Sequence, residues 1–183
     1  MIWNLFKRKK ANQALVERQY AEITRGARSP VFYEDMGVPD TVMGRFEMIA
    51  IHLILYLRRT GTAGPAAKGI AQDIVDAFFE DVDHSIRELG IGDMGVPKRM
   101  KKLARMFYGR AQSYGQALDA GDRDALVEAL RRNIHPDNVE TAPSMQALAA
   151  WMSATAKELE DVPEDRLAAG SLIFAAVEAG EVN

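Results

Sequence analysis

The chain has 183 residues, 48% of them hydrophobic and 27% charged, which is enough to bury one core and far from the composition of a disordered chain. Its 23 basic and 26 acidic residues leave a net charge of −3, which argues against wholesale nucleic-acid binding, excludes DNA from the expected partners and confines any basic surface to a local patch. With no cysteine there is no disulfide framework, thiolate catalysis or iron–sulfur ligation; the three histidines, His52, His84 and His135, do not fall at a metal-ligand spacing, so neither metal nor cofactor is expected.

The first ten residues place Ile2, Trp3, Leu5 and Phe6 ahead of Lys7, Arg8, Lys9 and Lys10, the reverse of an export signal's order. Apolar insertion beside a basic cluster is instead the pair of features that holds a peptide at an anionic membrane surface, so Trp3, Phe6, Lys7, Arg8, Lys9 and Lys10 are expected to contact lipid. A first helix is expected from about Asn12 to Arg25, with Leu15, Val16, Gln19, Tyr20 and Ile23 on one face and Pro30 forbidding its continuation. Pro30 to Asp40 reads as an irregular loop. The following segment, Phe46 to Leu57, is apolar on every side, which marks a central helix; it stops at Arg58 and Arg59, well short of the roughly 20 residues needed to span a bilayer.

The next helix, about Lys68 to Leu89, sets Ala71, Ile74, Val75, Phe78, Phe79, Val82 and Ile86 on one side and Asp73, Asp76, Glu80, Asp83 and Arg87 on the other. Gly90, Gly92 and Gly95 close it, and Pro97 suits the first turn of the helix that follows. That helix has an apolar seam of Met100, Leu103, Ala104, Phe107, Ala111, Tyr114 and Leu118, with Lys98, Lys101, Lys102 and Arg105 on another face. Gly121 ends it and Asp122 caps the next. Shorter helices follow at Arg123 to Asn133, Ser144 to Leu159 and Pro163 to Ala179. The expected fold is all-α: a single compact domain of about seven helices over residues 11–183, preceded by the amphipathic, basic segment of residues 1–10.

Two constellations invite chemistry. Asp73 and Asp76, three apart on a helix, have the spacing that binds magnesium–diphosphate in helical prenyl-transferring enzymes, so a magnesium-dependent enzyme acting on an isoprenoid or phospholipid diphosphate is the alternative reading; it lacks a second acidic cluster facing the first. The plainer reading makes the acidic row a solvated helix face, with Asp83 and Arg87 an i, i+4 pair contributing roughly 0.3–0.5 kcal/mol. The basic row of Lys98, Lys101, Lys102 and Arg105 is either a solvated face or a docking patch for anionic lipid, ribosomal RNA or an acidic protein segment. His52, inside the apolar helix, is expected to be buried with one hydrogen-bond partner, and His84 to lie on the surface. No nucleophile–base pairing or phosphate-cradling glycine loop is present, so no catalytic residue is expected.

Beyond these patterns, several segments have a specific likeness. They are Ser29-Pro30-Val31-Phe32-Tyr33, Gly37-Val38-Pro39-Asp40-Thr41 with Gly44-Arg45-Phe46, Gln72-Asp73, Asp76 to Phe79, Asp81 to Asp83, Arg87 to Gly90, Gly92 to Lys101, and Phe107-Tyr108-Gly109-Arg110 with Tyr114. Together, across about Tyr20 to Leu118, they resemble the ubiquinol-cytochrome c chaperone family, the assembly factors of the respiratory cytochrome bc1 complex. The resemblance implies an all-helical fold and a non-enzymatic role: mitochondrial relatives bind newly made cytochrome b and guard it before haem insertion. The partners it implies are cytochrome b or another respiratory-complex subunit and the ribosome, with peripheral contact to anionic membrane.

The first residues form no long Arg- and Ser-rich transit segment, which points to a bacterial member in the cytoplasm, peripheral on the inner face of the inner membrane. Client binding is expected where the densest family-like segments meet, the Phe32 to Thr41 loop and Asp93 to Arg105, through Phe32, Tyr33, Asp40, Arg45, Lys98, Lys101 and Lys102. Large apolar groups in that loop are either tucked onto the bundle or presented to a client. Asp40 with Arg45, and Asp93 as a cap, also have purely structural readings.

Overall fold

A computed structural model of the chain describes residues 2–88, 95–169 and Phe174, with side chains from Asn12 onward. Among these residues it has eight α-helices and no strand: α1 (Ile2–Ala27), α2 (Pro30–Glu34), α3 (Val42–Gly61), α4 (Pro65–Glu88), α5 (Val96–Ala120), α6 (Arg123–Ile134), α7 (Gln146–Glu160) and α8 (Glu164–Ala168). The all-α expectation holds, with two local differences.

Helix α1 begins at Ile2 rather than near Asn12, because no glycine or proline interrupts the helix-forming residues between Ile2 and Arg25. The expected loop at Pro30 contains a short helix, α2, which proline favours at a first helical position. The last expected helix is seen only as α8; the remainder up to Ala179, apart from Phe174, and the glycine turn with Gly90, Gly92 and Asp93, lie outside the described residues.

Helix α3 is the centre of the bundle, packed against α1, α4, α5, α6 and α7. Met48, Ala50, Ile51, Leu53, Ile54, Leu55 and Tyr56 are all buried, as apolarity on every side requires of a helix surrounded by others. Two glycines set its entry. Gly37 has φ +72°, and a Cβ there would lie 2.8 Å from Pro143 Cβ. At Gly44 a Cβ would fall 1.8 Å from the Pro39 carbonyl oxygen, so only glycine lets the chain fold back over the start of the helix. Thr41 caps that start by accepting a hydrogen bond from Gly44 N–H at 3.1 Å. At the other end of α5, Gly121 takes the left-handed conformation (φ +63°) and Asp122 accepts from Ala125 N–H at 2.9 Å, ending one helix and capping α6 as expected.

His52 is buried as anticipated, with Nδ1 donating to Met48 O at 2.8 Å and its ring against Phe32, Trp151 and Phe174. Helix α1 passes close by, since a Cβ on Gly26 would stand 3.2 Å from His52 Nε2. Burial holds the imidazole neutral and pushes its pKa down to about 4. The neutral ring's contribution is therefore full above about pH 6.5 and is lost as pH falls through about 4, at most about 3 kcal/mol for a shift of this size. Urea unfolding between pH 7 and pH 4.5 should show this decline, and His52→Gln should flatten it; an unchanged slope in the variant would mean that other groups carry it.

Candidate partner-binding surface

Among the described residues one ion pair is buried in the core. Glu47 on α3 and Arg110 on α5 form two parallel hydrogen bonds, Nε to Oε2 and Nη2 to Oε1, both 2.5 Å, and Nη2 also donates to Asn133 O of α6 at 3.3 Å. Both side chains are buried, so this pair ties three helices together inside the bundle. Burial raises the Glu47 carboxyl above its ordinary pKa, opposed by the Arg110 hydrogen bonds. Sequence reasoning did not find this pairing; the signal was a glutamate standing between Phe46 and Met48 in an otherwise apolar helix.

Beside the pair, rings link three helices in succession: Phe46 of α3 to Phe78 of α4 at 5.7 Å, Phe78 to Phe107 of α5 at 5.5 Å, and Phe107 to Tyr108 at 5.3 Å. Neighbours on a helix point about 100° apart, so Phe107 enters the core while Tyr108 turns out and is 58% exposed, its ring 6.4 Å from the half-buried Phe79. At the other end of the succession, one turn before Phe46, Val42 and Met43 are 64% and 44% exposed. These three are the exposed large hydrophobic residues among the described ones.

Lys98, Lys101, Lys102 and Arg105 are exposed along α5 and lead to Tyr108. None of the four is ion-paired with a described residue, whereas Arg58 reaches Asp119 at 2.6 Å and Arg87 reaches Asp83 at 2.7 Å. The acidic side of α4 is exposed too: Asp76, Glu80, Asp83 and His84 border Phe79 in a shallow concavity, and His84 lies 3.3 Å from Glu88. Among the described residues no group of three or more His, Asp and Glu side chains is arranged to hold a metal ion.

The other expected contact residues have different surroundings. Phe32 is fully buried, 4.7 Å from the Trp151 ring centroid and 5.5 Å from that of His52, so it is a core residue and offers a partner no surface. It is the buried residue of α2, and its neighbours Val31 and Tyr33 pack against the core only in part. Tyr33 is half-buried and donates its hydroxyl to Ala27 O at 2.7 Å. Asp40 accepts from Arg45 Nε at 2.8 Å in an exposed pair.

The loop packs on the α6–α7 side, with His135 Nε2 2.8 Å from Gly37 O, and Tyr108, which follows the basic row of α5, lies 6.4 Å from Phe79 of α4 between ring centroids. Trp3, Phe6, Lys7, Arg8, Lys9 and Lys10 fall in the first turns of α1, and their side chains are outside the described residues, as is Asp93.

A profile of the family described as "Ubiquinol-cytochrome C chaperone" matches residues 34–174, which include the whole of α3 to α8. The chain belongs to that chaperone family. Among its relatives, the ubiquinol-cytochrome-c reductase complex assembly factor 1 of Xenopus laevis is 25% identical over 144 residues, 78% of this chain and 72% of that protein. The mouse assembly factor 1 is 23% identical over 156 residues, 85% of this chain but 52% of its own length, so the chain spans about half of that relative. The crystal structure of the Cbp3 homolog from Brucella abortus superimposes with a TM-score of 0.87 at 51% identity, covering 96% of this chain and 97% of that one. These are the names of chaperones and assembly factors, not of enzymes.

The family-like segments divide by structural role. In this chaperone-family chain Gly37, Thr41, Gly44, Phe107 and Arg110 are accounted for by turns, caps and the core. Lys98, Lys101, Tyr108 and Gly109 are exposed, and of these only Tyr108 touches the core, through Phe79 and Phe107.

Proposed function

We propose that this chain is a non-enzymatic assembly chaperone of the ubiquinol-cytochrome c reductase complex, and that its client is newly made cytochrome b. The match of residues 34–174 to the chaperone family carries this reading, and the names of the frog and mouse relatives support the choice of complex. The exposed cations of α5, none of them ion-paired with a described residue, form with the exposed Tyr108 a surface suited to transient protein contact, charged enough to steer encounter and with an aromatic anchor. Work of this kind needs a binding surface rather than a catalytic group.

No helix among the described residues is long and apolar enough to cross a membrane. In this reading the N-terminal turns of α1, with Trp3, Phe6, Lys7, Arg8, Lys9 and Lys10, rest on anionic lipid at the inner face of the inner membrane, near the site where the client is inserted.

Replacing Lys98, Lys101 and Lys102 together by glutamate tests the reading. Exposed charges change stability by less than about 0.5 kcal/mol each, so circular dichroism should report an intact fold. Crosslinking of cytochrome b to the chain and accumulation of the reductase complex should both fall. Normal crosslinking with normal complex levels would rule this surface out.

A further inference from the structure

Gly109 costs the fold something and returns nothing to it. It lies in the interior of α5, where glycine weakens a helix relative to alanine. Its φ is not in the left-handed region, and a Cβ added there would meet nothing within 4 Å. The other glycine of α5, Gly115, is buried with Arg58 Nη1 4.0 Å from its Cβ position, so it has a packing partner. Gly69 in α4 is as open as Gly109, but its chain neighbours Lys68 and Ile70 offer no exposed aromatic.

At Gly109 the neighbour is Tyr108, exposed on its outer side and supported from beneath by Phe79 and Phe107. Helical spacing places Lys102 and Arg105 in a row with Gly109, and Lys101 and Arg105 in a row with Tyr108. The chain as a whole is negative, yet five cations without an ion-pair partner among the described residues, Arg99 with Lys98, Lys101, Lys102 and Arg105, stand within eight positions of this helix. Bare helix backbone at Gly109, an anchored aromatic and positive charge without an ion-pair partner among the described residues together fit a partner chain that approaches the helix closely and carries carboxylates.

We propose that α5 from Lys98 to Gly109 is a docking strip for an acidic segment of the client, which crosses the helix at Gly109 and sets an apolar side chain on Tyr108. The proposal rests on the chaperone reading above and names the part of the client that is recognised. The segment's carboxylates meet Lys98, Lys101, Lys102 and Arg105, and the missing side chain at position 109 lets its backbone lie against α5. A bulky residue there would hold the segment off the helix and break the aromatic and charged contacts together.

The test uses the full chain in cells that make the reductase, with a photo-crosslinking amino acid in place of Tyr108 and mass spectrometry of the joined peptides. The expected partner peptide is an acidic segment of a reductase subunit. Gly109→Leu should lower its yield by about tenfold, as loss of a central contact does. Gly69→Leu, an equally open site away from the strip, should leave the yield unchanged. Gly109→Ala should raise the melting temperature by about 2–4 °C, since the fold itself has no use for glycine there.

An undiminished yield in Gly109→Leu with its helix content intact would overturn the docking strip, as would a partner peptide from a second copy of this chain, a crosslink to lipid alone, or a melting temperature lowered by Gly109→Ala. Normal reductase accumulation in cells lacking the chain would instead overturn the chaperone reading beneath it.

Discussion

Replacing Arg110 by methionine is expected to destabilise the protein by about 3–5 kcal/mol, because it leaves the Glu47 carboxylate buried without its partner. The cost comes from the orphaned charge rather than from the value of the pair itself. Removing both charges, Glu47→Leu with Arg110→Met, should therefore recover most of the loss, since a well-packed apolar pair of similar volume is often as stable as a buried ion pair. Chemical unfolding of the two single variants and the double variant forms a complete cycle. The double variant being as unstable as Arg110→Met would show that the link from Arg110 to Asn133 O, and not the relief of Glu47, dominates.

Phe32→Ala should cost about 3–5 kcal/mol, the range for removing a buried aromatic ring. Phe32 packs edge-on against both His52 and Trp151, and its loss weakens the attachment of α2 to α3 and α7. Phe32→Leu, which keeps much of the volume, should cost markedly less and leave client crosslinking near normal. A presented client contact predicts the opposite pattern, little change in the melt and a fall in crosslinking. Thermal melts and crosslinking on the same two variants decide between these roles.

The residues that resemble the chaperone family look alike in a linear reading, but they serve two purposes. In Phe107-Tyr108-Gly109-Arg110, the first and last positions share one side of the helix and the two between them the other, because each step turns by about 100°. Phe107 and Arg110 enter the bundle and Tyr108 and Gly109 remain outside. In Gly37 to Gly44, positive φ, a hydrogen-bonded cap and a close backbone approach account for Gly37, Thr41 and Gly44, while Asp40 and Arg45 neutralise one another at the surface. Of the expected contact residues in the Phe32 to Thr41 loop, Phe32 is core, because its ring is enclosed by those of His52 and Trp151.

By itself the sequence determined the helical class, the central position of α3, the two-sided character of α4 and the junction at Gly121 and Asp122, because each follows from spacing or capping within a few residues. It also determined the pairing of Asp83 with Arg87, one helical turn apart. Tertiary structure alone decided that Glu47 finds Arg110 sixty-three residues away, that Phe32 closes against Trp151, and that the basic row of α5 has no partner on α4. Periodicity states which face of a helix is apolar, but not which neighbour covers it or where the cover stops. Tyr108 lies beside Phe79 and still keeps 58% of its surface exposed, and that limit is set by how the two helices meet.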